Sequence, residues 1–251
     1  FRKYDLYQLK YWGGWSIKIA KKILAISEST KREIVRFYPN AASKVEVTYL
    51  GYDKDMFNPL TFKAKIQDVK KKYGISGDYI LYLGTLKPNK NIEGLVEAYK
   101  LVKAENPDPK LVIAGKKGWL YETIFEKVRN LNLEKDVICT DFISEEDKPR
   151  LLSGAKVFVN PSFWEGFGIP VLEAMAVGTP VVVSDIASLP EVVGDAGVLV
   201  NPGNPENIAS GIKNDLKNAQ TLSSKGIEQA QKFSRANTAR ATLQVLENVG
   251  S

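Results

Sequence analysis

The sequence predicts an α/β protein built on a Rossmann-like, doubly wound parallel sheet, with part of a second domain beside it. Short apolar runs recur at residues 23–26, 45–50, 79–83, 110–114, 137–139, 157–159, 181–183 and 198–200. They are rich in Val, Ile, Leu and Tyr and show little strict alternation, which is how parallel strands covered on both faces read. Stretches with helical spacing lie between them. Strand alternating with helix implies a parallel sheet with crossover helices.

Taken in order, residues 1–50 supply two strands and a helix or two. That is too little to close a core, so they read as the tail of a preceding domain. The chain opens without Met, which marks it as a fragment at this stage. Gly51, Asn58 and Pro59 punctuate a loop over residues 51–62. Residues 63–233 then hold about six strand–helix units. Residues 92–103 place Leu95, Val96, Tyr99 and Val102 on one face, and 121–131 do the same with Ile124, Phe125 and Val128. Residues 207–216 and 238–249 follow the same period. The expected organisation is 1–58 as tail and linker, 59–233 as a complete domain, and 234–251 as a C-terminal helix placed to pack back on the preceding lobe.

Composition narrows the class. The chain has 251 residues, 44% of them hydrophobic and 25% charged, as in ordinary globular proteins. No apolar run reaches the roughly 18 residues of a membrane span, and no signal-peptide pattern opens the chain. The single cysteine, Cys139, excludes a disulfide within the chain and fits a cytoplasmic setting. It reads as a small buried hydrophobe. Histidine is absent, which excludes a Ser-His-Asp triad and His-ligated zinc. The net charge is +6. Lysines cluster at 18, 21 and 22, at 63 and 65, and at 70–72. They read as solvated helix faces, the sharper alternative being attraction to anionic lipid at the inner face of a membrane or to phosphorylated substrates. No nucleic-acid-binding pattern is present.

The most informative stretch is residues 160–180, which follows the run 157–159. Pro170 suits a helix start, Gly178 its C-terminal cap, and Pro180 prevents continuation, so a helix is expected over about 169–177. Gly166 and Gly168 precede it, where backbone without a Cβ lets a ligand approach closely. Amides at a helix N-terminus favour anions such as a pyrophosphate. The carboxyl end of a parallel strand is where open α/β sheets bind ligands. Glu165 lies in the loop and Glu173 is expected in the first helical turn, both facing one pocket. An acid in a first turn is also stabilised by the helix dipole without any ligand.

Glu165 and Glu173, with Gly166-Phe167-Gly168 between them and Leu172-Glu173-Ala174-Met175-Ala176 followed by Gly178-Thr179-Pro180, closely resemble the E-x7-E signature of family 4 glycosyltransferases. The flanks agree. Leu83-Gly84-Thr85-Leu86-Lys87-Pro88-Asn89-Lys90-Asn91 resembles that family's first loop of the C-terminal domain, and Ala114-Gly115-Lys116-Lys117-Gly118-Trp119 its second strand and turn. Ser188-Leu189-Pro190-Glu191 matches its downstream segment. Ala25-Ile26-Ser27-Glu28-Ser29-Thr30 resembles the last helix entry of its N-terminal domain.

The resemblance covers essentially the whole chain. It implies the C-terminal half of a two-lobed GT-B fold and retaining transfer of a hexosyl group from a nucleoside-diphosphate sugar to a hydroxyl acceptor. It implies that Glu173 holds the ribose hydroxyls, that Glu165 contacts the donor sugar, and that Lys90 neutralises the diphosphate. Gly84, Thr85, Gly166, Phe167, Gly168, Ile169 and Leu172 belong to the implied donor site, and Phe142 and Ile143 to the implied base pocket. Thr85 and Asn89 depart from the family, which usually carries an arginine at one of these two places. Lys87 or Lys116 is the available substitute, without arginine's bidentate fork.

The segment Ser144-Glu145-Glu146-Asp147 reads as a capping box before the next helix. Asp53-Lys54-Asp55 matches a metal-binding D-x-D pattern but falls in the inter-lobe hinge of the resembled family. No metal and no cofactor is expected, the nucleotide sugar being a substrate. The sequence variants look most like mannosyltransferases, so GDP-mannose is the first donor, with UDP-sugars open. The implied partners are the nucleotide sugar, the missing N-terminal lobe, an acceptor glycan or lipid-linked sugar, and a peripheral membrane contact. A non-catalytic nucleotide-sugar-binding module is the alternative. A dinucleotide oxidoreductase is disfavoured, because the turn after residues 79–83 carries one glycine where three are needed.

Overall fold

The structure, a computed structural model, describes residues 3–59 and 65–250. Lys63 and residues 60–62 of the expected linker lie outside the described residues. The chain divides into two compact units, Phe1–Gly51 with Phe233–Ser251, and Tyr52–Lys232.

The first unit holds α1 (Lys3–Ile19), β1 (Ile23–Ala25), α2 (Glu28–Phe37), β2 (Val45–Val47) and, from the other end of the chain, α10 (Arg235–Gly250). Strands β1 and β2 pair in parallel. Ser27 caps α2, its Oγ accepting from the Thr30 amide at 3.0 Å. A small apolar cluster forms around Ala25, Ala41 and Val45. The Thr238 hydroxyl, at the start of α10, donates to the Tyr49 carbonyl at 2.7 Å.

The second unit contains α3 (Ile66–Lys72), β3 (Tyr79–Leu83), α4 (Ile92–Glu105), β4 (Lys110–Ala114), α5 (Glu122–Asn130), β5 (Val137–Asp141), α6 (Lys148–Ser153), β6 (Val157–Asn160), α7 (Ile169–Ala176), β7 (Val181–Ser184), α8 (Leu189–Val193), β8 (Val198–Val200) and α9 (Pro205–Gln231). All six strands are parallel, in the order β5-β4-β3-β6-β7-β8. This is the doubly wound order, and the chain reverses direction across the sheet between β3 and β6. The apolar runs are buried as expected: β6 and β7 throughout, β3 and β4 in four of five positions each. Leu95, Val96, Tyr99 and Val102 of α4 are wholly buried. Buried tyrosines keep their hydroxyls bonded, Tyr79 to the Leu151 carbonyl at 2.6 Å and Tyr99 to the Pro109 carbonyl at 3.0 Å.

Three expectations need correction. Strand β5 is an edge strand with alternating burial, so its outer face is uncovered and Cys139 is exposed rather than buried. Glu173 is the fifth residue of α7, beyond the first turn, so the helix dipole does not account for it. Helix α9 runs to Gln231, past the end expected at 216, by absorbing a kink at Asn218. There the Asn218 side chain donates to the Asn214 carbonyl at 2.9 Å.

The exits of β3 and β4 are locked together. Gly84 N–H donates to the Ala114 carbonyl, Leu86 N–H to that of Lys116, and Gly115 N–H to that of Asp141. Gly115 has φ +144, and a Cβ there would lie 1.9 Å from the Gly84 oxygen. Gly115→Ala is expected to lower unfolding stability by at least ~2 kcal/mol, combining backbone strain with a main-chain clash. A urea titration giving an unchanged midpoint would show that this approach is not a constraint.

Asp215 of α9 is wholly buried, and neither carboxylate oxygen has a hydrogen-bond partner among the described residues. Burial pushes its carboxyl up to about 7, from the ordinary 3.8. A carboxyl that holds its proton more tightly in the fold gives stability fully present below its unfolded value. That stability is lost as pH rises from about 3.8 through about 7. Asp215→Asn, which cannot ionise, is expected to raise the melting temperature more at pH 8 than at pH 5. A gain independent of pH would refute the buried titration.

Candidate functional site

The sheet's reversal brings the ends of β3 and β6 side by side, and both carry site residues. After β3, residues 88–90 form a 3-10 turn that ends on Asn91 in the left-handed region (φ 53). The Asn91 side chain donates to the Pro202 carbonyl at 2.7 Å and fixes the turn from beneath. This aims Lys90 across the reversal at Glu165, which follows β6. The two form an ion pair with side chains only 15% and 14% exposed. The same Glu165 oxygen accepts from Asn160 Nδ2 at 3.3 Å and Ser162 Oγ at 3.2 Å. The buried Tyr82 hydroxyl is held above its ordinary range, by burial first and by the charge of Glu165 second.

The loop carrying Glu165 is fastened from three sides. Phe163 N–H donates to the Asn89 carbonyl at 2.9 Å, and Asn89 Nδ2 donates to the Trp164 carbonyl at 3.3 Å. Ser184 Oγ, at the end of β7, donates to the Ser162 carbonyl at 2.7 Å, and Ser188 Oγ to the Glu165 carbonyl at 3.0 Å. Asn89, at a position where the resembled family often has arginine, therefore ties two loops together.

Helix α7 begins as expected. Gly168 stands at its N-cap with φ +95, Pro170 lies in its first turn, and Gly178 follows its end at φ +83. Glu173 is 6% exposed and faces Lys148, the first residue of α6. Lys148 Nζ lies 3.0 Å from Glu173 Oε1 and 2.8 Å from Oε2. It also lies 3.7 Å from Glu145 Oε2 and 5.5 Å from the Phe57 ring centre. A buried carboxylate thus has a dedicated cation, as burial of charge requires.

A cleft of about 230 Å³ opens at the carboxyl ends of β3, β4 and β5. Its walls include Gly84 and Thr85 after β3, Gly115 and Lys116 after β4, Phe142 and Ile143 after β5, and Lys148 and Pro170 from the helices beyond. The expected residues Gly84, Thr85, Phe142 and Ile143 thus meet in one place. Phe167 and Leu172 do not bring side chains to it, being 2% and 0% exposed, and the Leu172 amide is spent on the Gly168 carbonyl. Ile169 opens α7 half-buried, and Gly166 lies half-buried in the loop before it. Sequence reasoning missed Lys148, Asn160 and Ser162 as neighbours of the two glutamates. Lys148 is 25 residues from Glu173, and only the sheet order makes them neighbours.

Two weaker sequence signals resolve locally. Ser144 N–H lies beside Tyr73, Ser144 Oγ donates to Asp147 Oδ2 at 2.7 Å, and Asp147 N–H returns to Ser144 Oγ at 3.3 Å. Burial alone would raise the Asp147 carboxyl, but bonds from Lys72, Ser144 and Tyr73 hold it down to about 2. Asp53 Oδ1 accepts from the Asp55 and Met56 amides, both at 3.1 Å, so this acid organises a turn.

Known proteins resemble this chain over most of its length. Residues 65–237 match the family described as Glycosyl transferases group 1. The chain is 36% identical over 233 residues to O-antigen chain mannosyltransferase B of Escherichia coli, covering 91% of this chain and 61% of that protein. It is 32% identical to the serotype-specific mannosyltransferase WbdA of Escherichia coli, covering 90% of this chain and 28% of that one. Among solved structures, sucrose-phosphate synthase of Thermosynechococcus elongatus superposes with a TM-score of 0.80 at 26% identity, covering 93% of this chain and 59% of that one. The chain therefore spans about three fifths or less of each of these three proteins. With its match extending over most of its length, the chain belongs to the group 1 glycosyltransferases.

Proposed function

We propose that this chain supplies the donor-binding half of a retaining hexosyltransferase that uses a nucleoside-diphosphate sugar. The observation that carries the reading is the pairing of the two motif glutamates with lysines from separate elements at the carboxyl end of one parallel sheet. Glu165 meets Lys90 across the reversal between β3 and β6. Glu173 meets Lys148, which lines the cleft.

In the proposed reaction the bond from the sugar's anomeric carbon to the phosphate oxygen breaks. A bond from that carbon to the acceptor oxygen forms on the same face, and the hydroxyl proton passes to the departing phosphate. Charge grows on the leaving group, so preplaced cations and amide groups lower the barrier. Glu173 accepts the ribose hydroxyls, which a carboxylate with two acceptor oxygens suits. Glu165 lies beside the sugar, where positive charge develops at the anomeric carbon. A mannosyl group is supported by the names of the two Escherichia coli relatives, and GDP-mannose is the donor that this reading takes first. The acceptor in this reading is a glycan or lipid-linked sugar. Exposed Tyr11, Trp12 and Trp15 on α1, near Lys10 and Lys18, support contact with a membrane surface. Among the described residues, no helix is long and apolar enough to cross a membrane.

Calorimetric titration of the chain with GDP, UDP, GDP-mannose and UDP-glucose tests the donor site. Tight binding of the guanine compounds is expected, with a loss of about tenfold or more in Glu173→Ala, the worth of one hydrogen bond to a charged group. Equal binding by the variant would remove Glu173 from the site. Separately, Lys148→Met is expected to destabilise the fold by about 3 kcal/mol, because it leaves a buried carboxylate without its cation. Unaltered thermal unfolding of that variant would count against the pair.

A further inference from the structure

In the reading proposed above, on which this inference rests, Glu165 lies beside the donor's sugar. The two motif glutamates are anchored differently. Lys148 reaches both oxygens of Glu173, at 3.0 and 2.8 Å. At Glu165 every hydrogen bond and ion pair of the side chain, among the described residues, falls on one oxygen. Oε1 faces the Lys90 ammonium, Asn160 Nδ2 at 3.3 Å and Ser162 Oγ at 3.2 Å. Oε2 has no hydrogen-bond partner among the described residues, and it is not sealed from solvent. One carboxylate oxygen accepts about two hydrogen bonds, so Oε1 is filled and a further donor must go to Oε2.

The anchoring is built from the strand ends. Asn160 closes β6, Ser162 lies two residues on, and both are buried. Ser162 Oγ lies 2.5 Å from Asn160 Oδ1. Its single proton serves the Asn160 oxygen first, with Glu165 Oε1 the longer contact. That leaves the amide nitrogen of Asn160 as the group turned to Glu165. The reverse orientation would set the amide oxygen against the carboxylate, two acceptors with no proton between them. Ser162 is itself held, its carbonyl accepting from Ser184 Oγ at the end of β7 at 2.7 Å. Pro161 between Asn160 and Ser162 fixes a backbone torsion. Contacts therefore run from β7 through Ser162 and Asn160 to one oxygen of Glu165. Lys90 brings charge to that oxygen on a flexible stem with rotatable donors, whereas a planar amide points one way.

We propose that Asn160, oriented by Ser162, is a positioning residue that keeps Glu165 Oε2 turned outward to accept a hydrogen bond from a ring hydroxyl of the donor's sugar. Oε1 stays on Asn160 and Lys90 while the sugar hydroxyl donates to Oε2. Without the amide, the carboxylate plane is held by Lys90 alone and can tilt away from the sugar.

The quantity to measure is the sugar's share of binding, the ratio of affinity for a nucleotide sugar to affinity for its nucleotide. GDP-mannose is set against GDP, and UDP-glucose against UDP. Calorimetric titration is run on the unaltered chain, Asn160→Ala, Ser162→Ala, Glu165→Ala, and Glu165→Ala combined with each of the other two. The unaltered chain is expected to bind the nucleotide sugar more tightly. Asn160→Ala is expected to reduce the ratio about tenfold and Ser162→Ala about threefold, with the nucleotide's own affinity moving less than about twofold. Adding either substitution to Glu165→Ala should reduce the ratio no further, because both act through Glu165. A merely structural role would lower both affinities and would add to the Glu165 effect. If Asn160→Ala fails to fold by thermal unfolding, the Ser162→Ala cycle decides. A ratio that survives these substitutions, or effects that multiply in the double variants, make the assignment of Asn160 wrong while the donor site stands. Equal affinity of the unaltered chain for nucleotide and nucleotide sugar overturns it as well. If the unaltered chain binds none of the four ligands, the donor-site reading fails and takes this assignment with it.

Discussion

Where β3 and β4 leave the sheet, the Gly84 carbonyl occupies the space in which a side chain at position 115 would begin. Nearly everything in the cleft is placed relative to that contact. It sets how closely the two loops approach, and three main-chain hydrogen bonds then tie β3, β4 and β5 together at their carboxyl ends. Thr85 and Lys116 sit on the two jammed segments, and Phe142 follows the third strand. A second small-residue adjustment lies at the facing position on the exit of β3. Gly84 leaves room for the Tyr82 hydroxyl, which a Cβ there would meet at 2.8 Å. The mouth of the cleft is thus shaped by backbone, and the side chains that line it extend from fixed points.

Charge is arranged in two layers around this frame. The inner layer is compensated: Glu165 with Lys90, and Glu173 with Lys148. Burying four charges would be costly singly, and pairing them offsets that cost and aims each side chain. The outer layer, at the rim, carries cations resting on aromatic faces: Lys116 on Phe142 and Lys117 near Tyr121 and Phe125. The inner pairs are largely buried, whereas at the rim Lys117 also faces Asp141 at 3.3 Å.

The fold was largely readable from the chain, because parallel strands covered on both faces leave unmistakable apolar runs. The reading failed where coverage failed. Strand β5 lies at the edge, so its run at 137–139 looks like the others while one face stays open at Cys139. The site was half readable. The motif residues Glu165 and Glu173 stand out because helix punctuation by Pro170 and Gly178 fixes where the helix lies. Lys90 stands out by the resemblance of its loop, but its pairing with Glu165 does not, and Lys148 does not stand out at all. Lys90 is 75 positions from Glu165, and Lys148 is one lysine in a very basic chain. Strand order, which no local pattern encodes, turns these distant residues into pairs. Leu172 shows the converse: a place inside the motif did not bring it to the cleft, since the face of α7 that carries it belongs to the core.

The loop over 162–165 is irregular, yet its main chain is held by Asn89, Ser184 and Ser188 from three separate places. Phe163 and Trp164 stand exposed on it. Shape and surface are therefore uncoupled at this point. The backbone course is decided by residues elsewhere, so the two ring positions can be exchanged without moving Glu165. A loop built this way can diversify what it touches in solution while its carboxylate stays in register, which lets one scaffold explore new molecular neighbours at little structural risk.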